Sequence, residues 1–461
     1  MESNLEVRGW KLDARSWGLD VRSWKLEARR WNLEARGWRL DIRAWKVARK
    51  ALLTSILYLL ATHSFSQTLD DYFKIAAEKN PGLQAKYKDF EAAMQKVPQV
   101  STLPDPSFSF GYFLSPVETR VGPQRARFSL TLMFPWFGTL RAQGDAAALM
   151  AEAKYQSFLD FRNRLYYQVA AAYYPLYELN QWKEIEQENI EILESYKTIA
   201  DSKFRNGAGA MVDVLRVDIM LKDATTNLSI LNDKEVPLLT RFNKLLNREG
   251  GELVFVQDSL LAQSLPDNFR KDSLLTHNPL LEELDLKIAS SEASEEVAYK
   301  QGLPKFGLGL DYVMVGDRTD LASDMAAPLD NGKNALMPKV SVSIPLFRSK
   351  YKAAVKETKL MQESYSLQKE DYTNTLITGY EMAWFEIQQQ QKLLELYDQQ
   401  IQESNQALNL LLTAYGNSGK EFEEVLRMQQ QLLKYEKLKA TAETLYQIAI
   451  AKLNYLTAKT Y

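Results

Sequence analysis

The stretch Phe128-Ser129-Leu130-Thr131-Leu132-Met133-Phe134-Pro135-Trp136-Phe137 alternates bulky apolar residues with small or polar ones and stops at a proline. From Thr139 to Phe204 the chain then runs with almost no helix breaker, Gly144 and Pro175 being the exceptions. Period-two alternation marks a strand with two unlike faces, and the uninterrupted run that follows marks a helix. Pro135 sits where the one turns into the other. A residue that lacks a ladder donor and sets its own φ suits that junction. At 1.5 Å per residue the helix would be on the order of 100 Å long, far beyond what an ordinary globular domain holds.

Upstream, Phe108, Phe110 and Tyr112 interleave with smaller residues as a second strand. Downstream the whole arrangement recurs. Phe306, Leu308, Leu310 and Tyr312 oppose Gly307, Gly309 and Asp311, and Val340, Val342, Ile344 and Leu346 oppose Ser341 and Ser343. Pro345 stands where Pro135 does, and a second long helix runs from about Ser349 to Tyr415. Fixed landmarks repeat with it: Asn80-Pro81 as Asn278-Pro279, Leu103-Pro104 as Leu303-Pro304, Phe134-Pro135 as Ile344-Pro345, and Val214-Leu215-Arg216 as Val425-Leu426-Arg427, at offsets that grow from 198 to 211. The chain is an internal duplication whose copies differ by loop insertions. Each long helix ends in a short polar turn, Asn206-Gly207-Ala208-Gly209 or Gly416-Asn417-Ser418-Gly419, and a second long helix returns. Along the first long helix apolar residues recur at three- and four-residue steps, as in Phe158, Phe161, Leu165, Val169 and Ala172, which is coiled-coil spacing.

The expected fold is therefore mainly α with membrane β, a duplicated unit of a β-hairpin feeding a long coiled-coil hairpin. Residues 67–269 form the first repeat, with strands about 106–115 and 126–135 and long helices about 139–246. Residues 270–461 form the second, with strands about 305–315 and 338–347 and long helices about 349–456. A soluble sheet with one buried face would show the same local alternation; the flanking helices separate the two readings. Four strands cannot close a barrel, and open strand edges are not tolerated in lipid, so several chains must build it together. A homotrimer supplies twelve strands, an even count within the range such barrels show.

The 461 residues are 46% hydrophobic and 25% charged, as a folded chain should be. Residues 1–66 hold 13 Lys/Arg against 7 Asp/Glu, which leaves the remainder at −8 and argues against a nucleic-acid partner. There is no cysteine, and the two histidines are His63 and His277. Disulfides and thiolate metal sites are thereby excluded; with His63 in the expected signal segment only His277 remains, too few for a multi-histidine metal site, and no catalytic pattern stands out around it, so no enzyme, catalytic residue, cofactor or metal site is expected.

Lys46-Val47-Ala48-Arg49-Lys50, the apolar run to Ala61 and Ser64-Phe65-Ser66 give residues 46–66 the plan of a signal peptide, cleaved after Ser66. Before it, Trp10, Trp17, Trp24, Trp31, Trp38 and Trp45 mark a seven-residue repeat over residues 1–45. Its apolar positions do not line one helical seam, so it reads as repetitive sequence rather than native structure.

The ordered set Thr68-Leu69-Asp70, Asn80-Pro81 with Leu83, Leu103-Pro104-Asp105-Pro106, Phe134-Pro135, and Gly207 with Asp213-Val214-Leu215, present in duplicate, resembles the TolC-like outer-membrane efflux proteins over about residues 67 to 459. That resemblance implies a homotrimeric twelve-stranded barrel in outer-membrane lipid of a Gram-negative cell, continuous with a helical tunnel in the periplasm. It also implies a periplasmic adaptor and an inner-membrane transporter as partners, and passive passage of small molecules or metal ions driven by the pump. The exit of a type I protein secretion system and a periplasmic coiled-coil scaffold stand as alternatives. In the family an Asp-Val-Leu-Asp pattern at the second-copy turn rings the tunnel entrance. Here the matching residues are Glu424 and Arg427, so one acid is kept and the other replaced by a cation, which points to an entrance held by ion pairs. Asp213, Arg216, Val214 and Val425 are the expected adaptor-docking residues, while Leu215 and Leu426 read as core. Loops at about 115–127 and 315–338 should face outward.

Overall fold

The computed structural model describes residues 68–257, 259, 260, 265, 269–320, 326–417 and 421–459. The tryptophan repeat, the signal segment and Ser418-Gly419 of the second turn lie outside the described residues. Helices α1 (Leu69–Lys79) and α2 (Pro81–Ser101) lead into strands β1 (Ser107–Val117) and β2 (Gln124–Phe134), then α3 (Thr139–Arg205) and α4 (Met211–Leu245). The second repeat follows as α5 (Ser273–Thr276), α6 (Pro279–Gln301), β3 (Lys305–Val315), β4 (Ala335–Ser343), α7 (Ser349–Gly416) and α8 (Phe422–Leu456).

The strands form one antiparallel sheet in the order β1-β2-β3-β4. Its register puts Phe110, Phe128, Tyr312 and Leu336 in one row and Leu132, Leu308 and Val340 in another, all on one face. The opposite face carries Ser109, Ser129, Asp311 and Met337, and beside them Ser107, Thr131, Gly309 and Lys339. Most of the apolar row is exposed, Leu114 and Val340 among the most open. β4 ends at Ser343, so Ile344 to Phe347, expected within the strand, lie in the connection to α7. A strand cannot use Pro345 as a ladder donor. Pro116 and Pro338 are accommodated within β1 and β4 because these are the edge strands.

The helices α3, with 67 residues, and α7, with 68, each run about 100 Å. α2 and α4 lie along α3, and α6 and α8 both lie between α3 and α7. Three apolar clusters hold this wall together. One gathers Tyr72, Phe73, Val169, Tyr173 and Phe242, the second Leu193, Val217, Phe422 and Val425, and the third Leu376, Tyr380, Ile387 and Tyr446.

The duplicated Asn-Pro pairs join helices end to end. The Asn80 side chain caps α2 by accepting from the Leu83 N–H at 3.0 Å while its Nδ2 donates to the Leu245 carbonyl, the last residue of α4, at 2.9 Å. Asn278 does the same for α6, accepting from Leu280 N–H at 3.0 Å and donating to the Leu456 carbonyl of α8 at 3.2 Å. One amide thus satisfies an orphan N–H and an orphan C=O, and Pro81 or Pro279 fills the position where no donor is needed. Asn278→Ala is expected to cost about 2–3 kcal/mol, a lost cap of about 1 plus an unpaired, half-buried carbonyl. Urea unfolding would measure it, and a loss below a few tenths would show that water replaces the amide.

Close to that junction Tyr455 Oη donates to Asp160 Oδ1 at 3.2 Å. Burial raises the Asp160 carboxyl above its ordinary range, a shift that Arg164 and the Tyr455 hydroxyl only partly oppose. A carboxyl that holds its proton more tightly when folded favours the fold at low pH, and that contribution is lost as pH rises through the raised value. Asp160→Asn is therefore expected to melt above the parent chain at neutral pH and level with it below about 3.9, the ordinary Asp value. Thermal melts across that range test the sign.

Candidate functional site

The far end of the helical wall is the hairpin tip. Gly207 takes φ +71°, a left-handed turn that glycine adopts without strain. Ala208 N–H then donates to the Lys203 carbonyl at 2.9 Å and closes α3. Lys203 and Arg205 lie in the last turn of α3, and Asp213, Glu423 and Glu424 in the first turns of α4 and α8, as the helix dipoles favour.

Two contacts lock the repeats together here. The Arg216 guanidinium meets Glu423 Oε2 at 2.9 Å and Asp213 Oδ1 at 3.6 Å, so one cation joins α4 to α8. Lys203 Nζ donates to the Tyr415 carbonyl at 2.5 Å and lies 3.7 Å from the centre of the Tyr415 ring, closing the end of α7 with charge from α3. Tyr415 in turn stacks on Phe422 at 4.6 Å. Burial pushes the Tyr415 phenol up, and the Asp213 carboxylate adds to it.

Of the residues expected at the entrance, Glu424 is half-buried and Arg427 exposed, one helical turn apart on α8. Asp213 and Arg216 share the ion-paired cluster just described. Val214 and Val425 do not present docking surface, because both are buried with Val217 and Phe422 in the core of the tip. Leu426 is buried as read from the sequence, whereas Leu215 is half exposed. The reason is helical phase: steps of three or four turn Val214 and Val217 to the same side, and the next residue points about 100° away. Exposed apolar area at the tip comes instead from Met211, Val212, Leu215 and Ile219. The sequence marked Arg216 but not its partner Glu423, which lies in the other repeat, and nothing in it marked Lys203 with Tyr415.

At the other end, Pro135 follows β2 directly and Pro345 lies between β4 and α7. Trp136 packs on Phe306 with ring centres 5.9 Å apart, and Phe137 stands out into the surroundings. On the polar face of the sheet Asp311 is fully buried, ion-paired with Arg127 and 3.4 Å from Lys339 Nζ. Among the described residues no group of His, Cys, Asp and Glu could hold a metal ion, and no helix is long and apolar enough to cross a membrane.

The same arrangement is found in solved structures. The outer-membrane channel OprN aligns with a TM-score of 0.69 at 18% identity, over 85% of this chain and 90% of that one. The outer membrane protein VceC of Vibrio cholerae gives 0.68 at 14%, over 85% and 96%. The open state of the Neisseria gonorrhoeae MtrE outer membrane channel gives 0.66 at 16%, over 85% and 89%. No curated protein matches. The family model described as outer membrane efflux protein matches residues 272–459, which is the second repeat. Strand pair, long hairpin and matched repeat agree: the second repeat is similar to the outer membrane efflux protein family, and the chain has the fold of these outer-membrane channels.

Proposed function

We propose that three copies of this chain close their sheets into a twelve-stranded barrel in outer-membrane lipid and their helices into a periplasmic tunnel, a passive exit duct for small molecules or metal ions. The observation that carries this is the open sheet: β1 and β4 are edge strands, and most of the sheet's apolar face is exposed. In lipid that face is satisfied and those edges are not, so neighbouring chains must pair with them. The family-model match over the second repeat and the shared channel fold support an efflux channel rather than an enzyme, with the energy supplied by an inner-membrane transporter through a periplasmic adaptor. The secretion of a protein through the same duct is the second reading; the transported species is chosen by the partners, and the tunnel suits both.

At the tip, Glu424 and Arg427 are the proposed entrance residues, and Asp213 and Arg216 with the exposed Leu215 the proposed adaptor contact. An Arg216–Glu423 tie between repeats supports an entrance that ion pairs hold closed. The test is to express the chain from its own signal in a Gram-negative host, extract the outer membrane in mild detergent, and measure oligomeric mass and single-channel conductance. A trimer with discrete conductance is expected. A water-soluble species without conductance would leave the coiled-coil scaffold as the better account.

A further inference from the structure

The charged residues of the sheet are sorted by face. β1 carries none, and the others carry Arg125 and Arg127, Lys305 and Asp311, and Lys339. Arg125 falls at the register shift between Gln124 and Ala126, and its guanidinium lies against Gly316 at the loop end. The remaining four pair across the sheet with Val313, Ser343, Ser129 and Gly309, that is, with residues of the polar face. No charged residue pairs in the apolar rows, so the face that closes around the pore holds Arg127, Lys305 and Lys339 against Asp311 alone.

Asp311 is fully buried between Arg127 and Lys339, whose side chains remain 43% and 36% exposed. One carboxylate thus serves two cations, and Lys305 is exposed at the end of β3 nearest the helices. The excess is +2 per chain and +6 in a trimer at neutral pH, where Lys and Arg are protonated. The intervening glycines and serines leave room for these long side chains to reach inward. At the tip, Asp213, Glu423 and Glu424 are matched by Lys203, Arg216 and Arg427, so those residues add no net charge to offset the barrel.

We propose that the barrel is an anion-favouring exit, with Arg127, Lys305 and Lys339 as its specificity-determining residues and small anionic solutes carrying carboxylate, phosphate or sulfate as the class it passes most readily. Rings of Lys and Arg in a low-dielectric pore raise the local anion concentration and repel cations. The inference rests on the trimeric duct reading, and it goes beyond that reading in assigning the charge of what leaves.

The experiment is the reversal potential of the reconstituted channel under a KCl gradient kept below about 0.1 M, where screening extends over about 10 Å or more. The parent channel is expected to prefer chloride to potassium. Lys305→Glu with Lys339→Glu leaves the Arg127–Asp311 pair in place and should move the reversal potential to potassium preference. Lys305→Gln with Lys339→Gln should fall between the two and serves if the charge reversal fails to assemble. A conducting parent channel that prefers potassium, or variants that conduct with an unchanged reversal potential, would overturn the proposal. Absence of any conductance would instead defeat the duct reading on which it stands.

Discussion

A chain carrying Leu310→Arg is expected to be exported but not recovered as an assembled species from the outer membrane, whereas Ser109→Arg should assemble at near the parent yield. Leu310 lies in the middle of β3, in the exposed apolar row with Phe108 and Leu130. An arginine on the lipid face costs about 2–4 kcal/mol at the bilayer midplane. A trimer meets that cost three times, and no neighbouring acid lies on the apolar face to offset it. Ser109 pairs with Ser129, beside Asp311 on the other face, where a cation meets water and a carboxylate. The measurement is the fraction of chain in heat-modifiable trimers after outer-membrane extraction. If Leu310→Arg assembles as well as Ser109→Arg, the apolar face does not meet lipid, and the barrel reading falls with it.

That one substitution decides so much reflects what was legible in the chain. The strands and helices could be read because their signals are local: period two over Phe128 to Phe134, three- and four-residue steps along α3, and a proline at each change. The duplication made each reading twice. What could not be read depends on residues brought together from far apart in sequence. Asn80 stands out in the sequence as a landmark, but its donation to Leu245 spans 165 positions, and the cross-repeat tie of Arg216 to Glu423 spans more. The inward phase of Val214 and Val425 is not legible for a subtler reason. Near a helix end two adjacent apolar residues are equally good candidates for the core, and only the partner helix decides between them. The cationic face was half visible, since the parity of Arg127 and Asp311 is in the sequence, yet their pairing requires the β2–β3 register.

Lys437→Met is expected to be the most destabilising single change in the helical wall, by about 3–5 kcal/mol. Glu186 on α3 is almost wholly buried, and the Lys437 ammonium from α8 is its ion-pair partner. The same stretch is anchored by Trp182, whose indole N–H donates to the Lys437 carbonyl at 3.1 Å. Removing the lysine leaves an uncompensated carboxylate buried in the helix interface, which is far costlier than the pair itself is stabilising. Glu186→Met together with Lys437→Met should therefore recover most of the loss, because two apolar side chains fill the site without a buried charge. Denaturant midpoints of the detergent-solubilised chain, at unchanged slope, would read this cycle. A single variant within about 1 kcal/mol of the parent would mean that Glu186 reaches water and that the wall yields there. Since Glu186 and Lys437 belong to different repeats, that yielding would loosen the first hairpin from the second between the sheet and the tip.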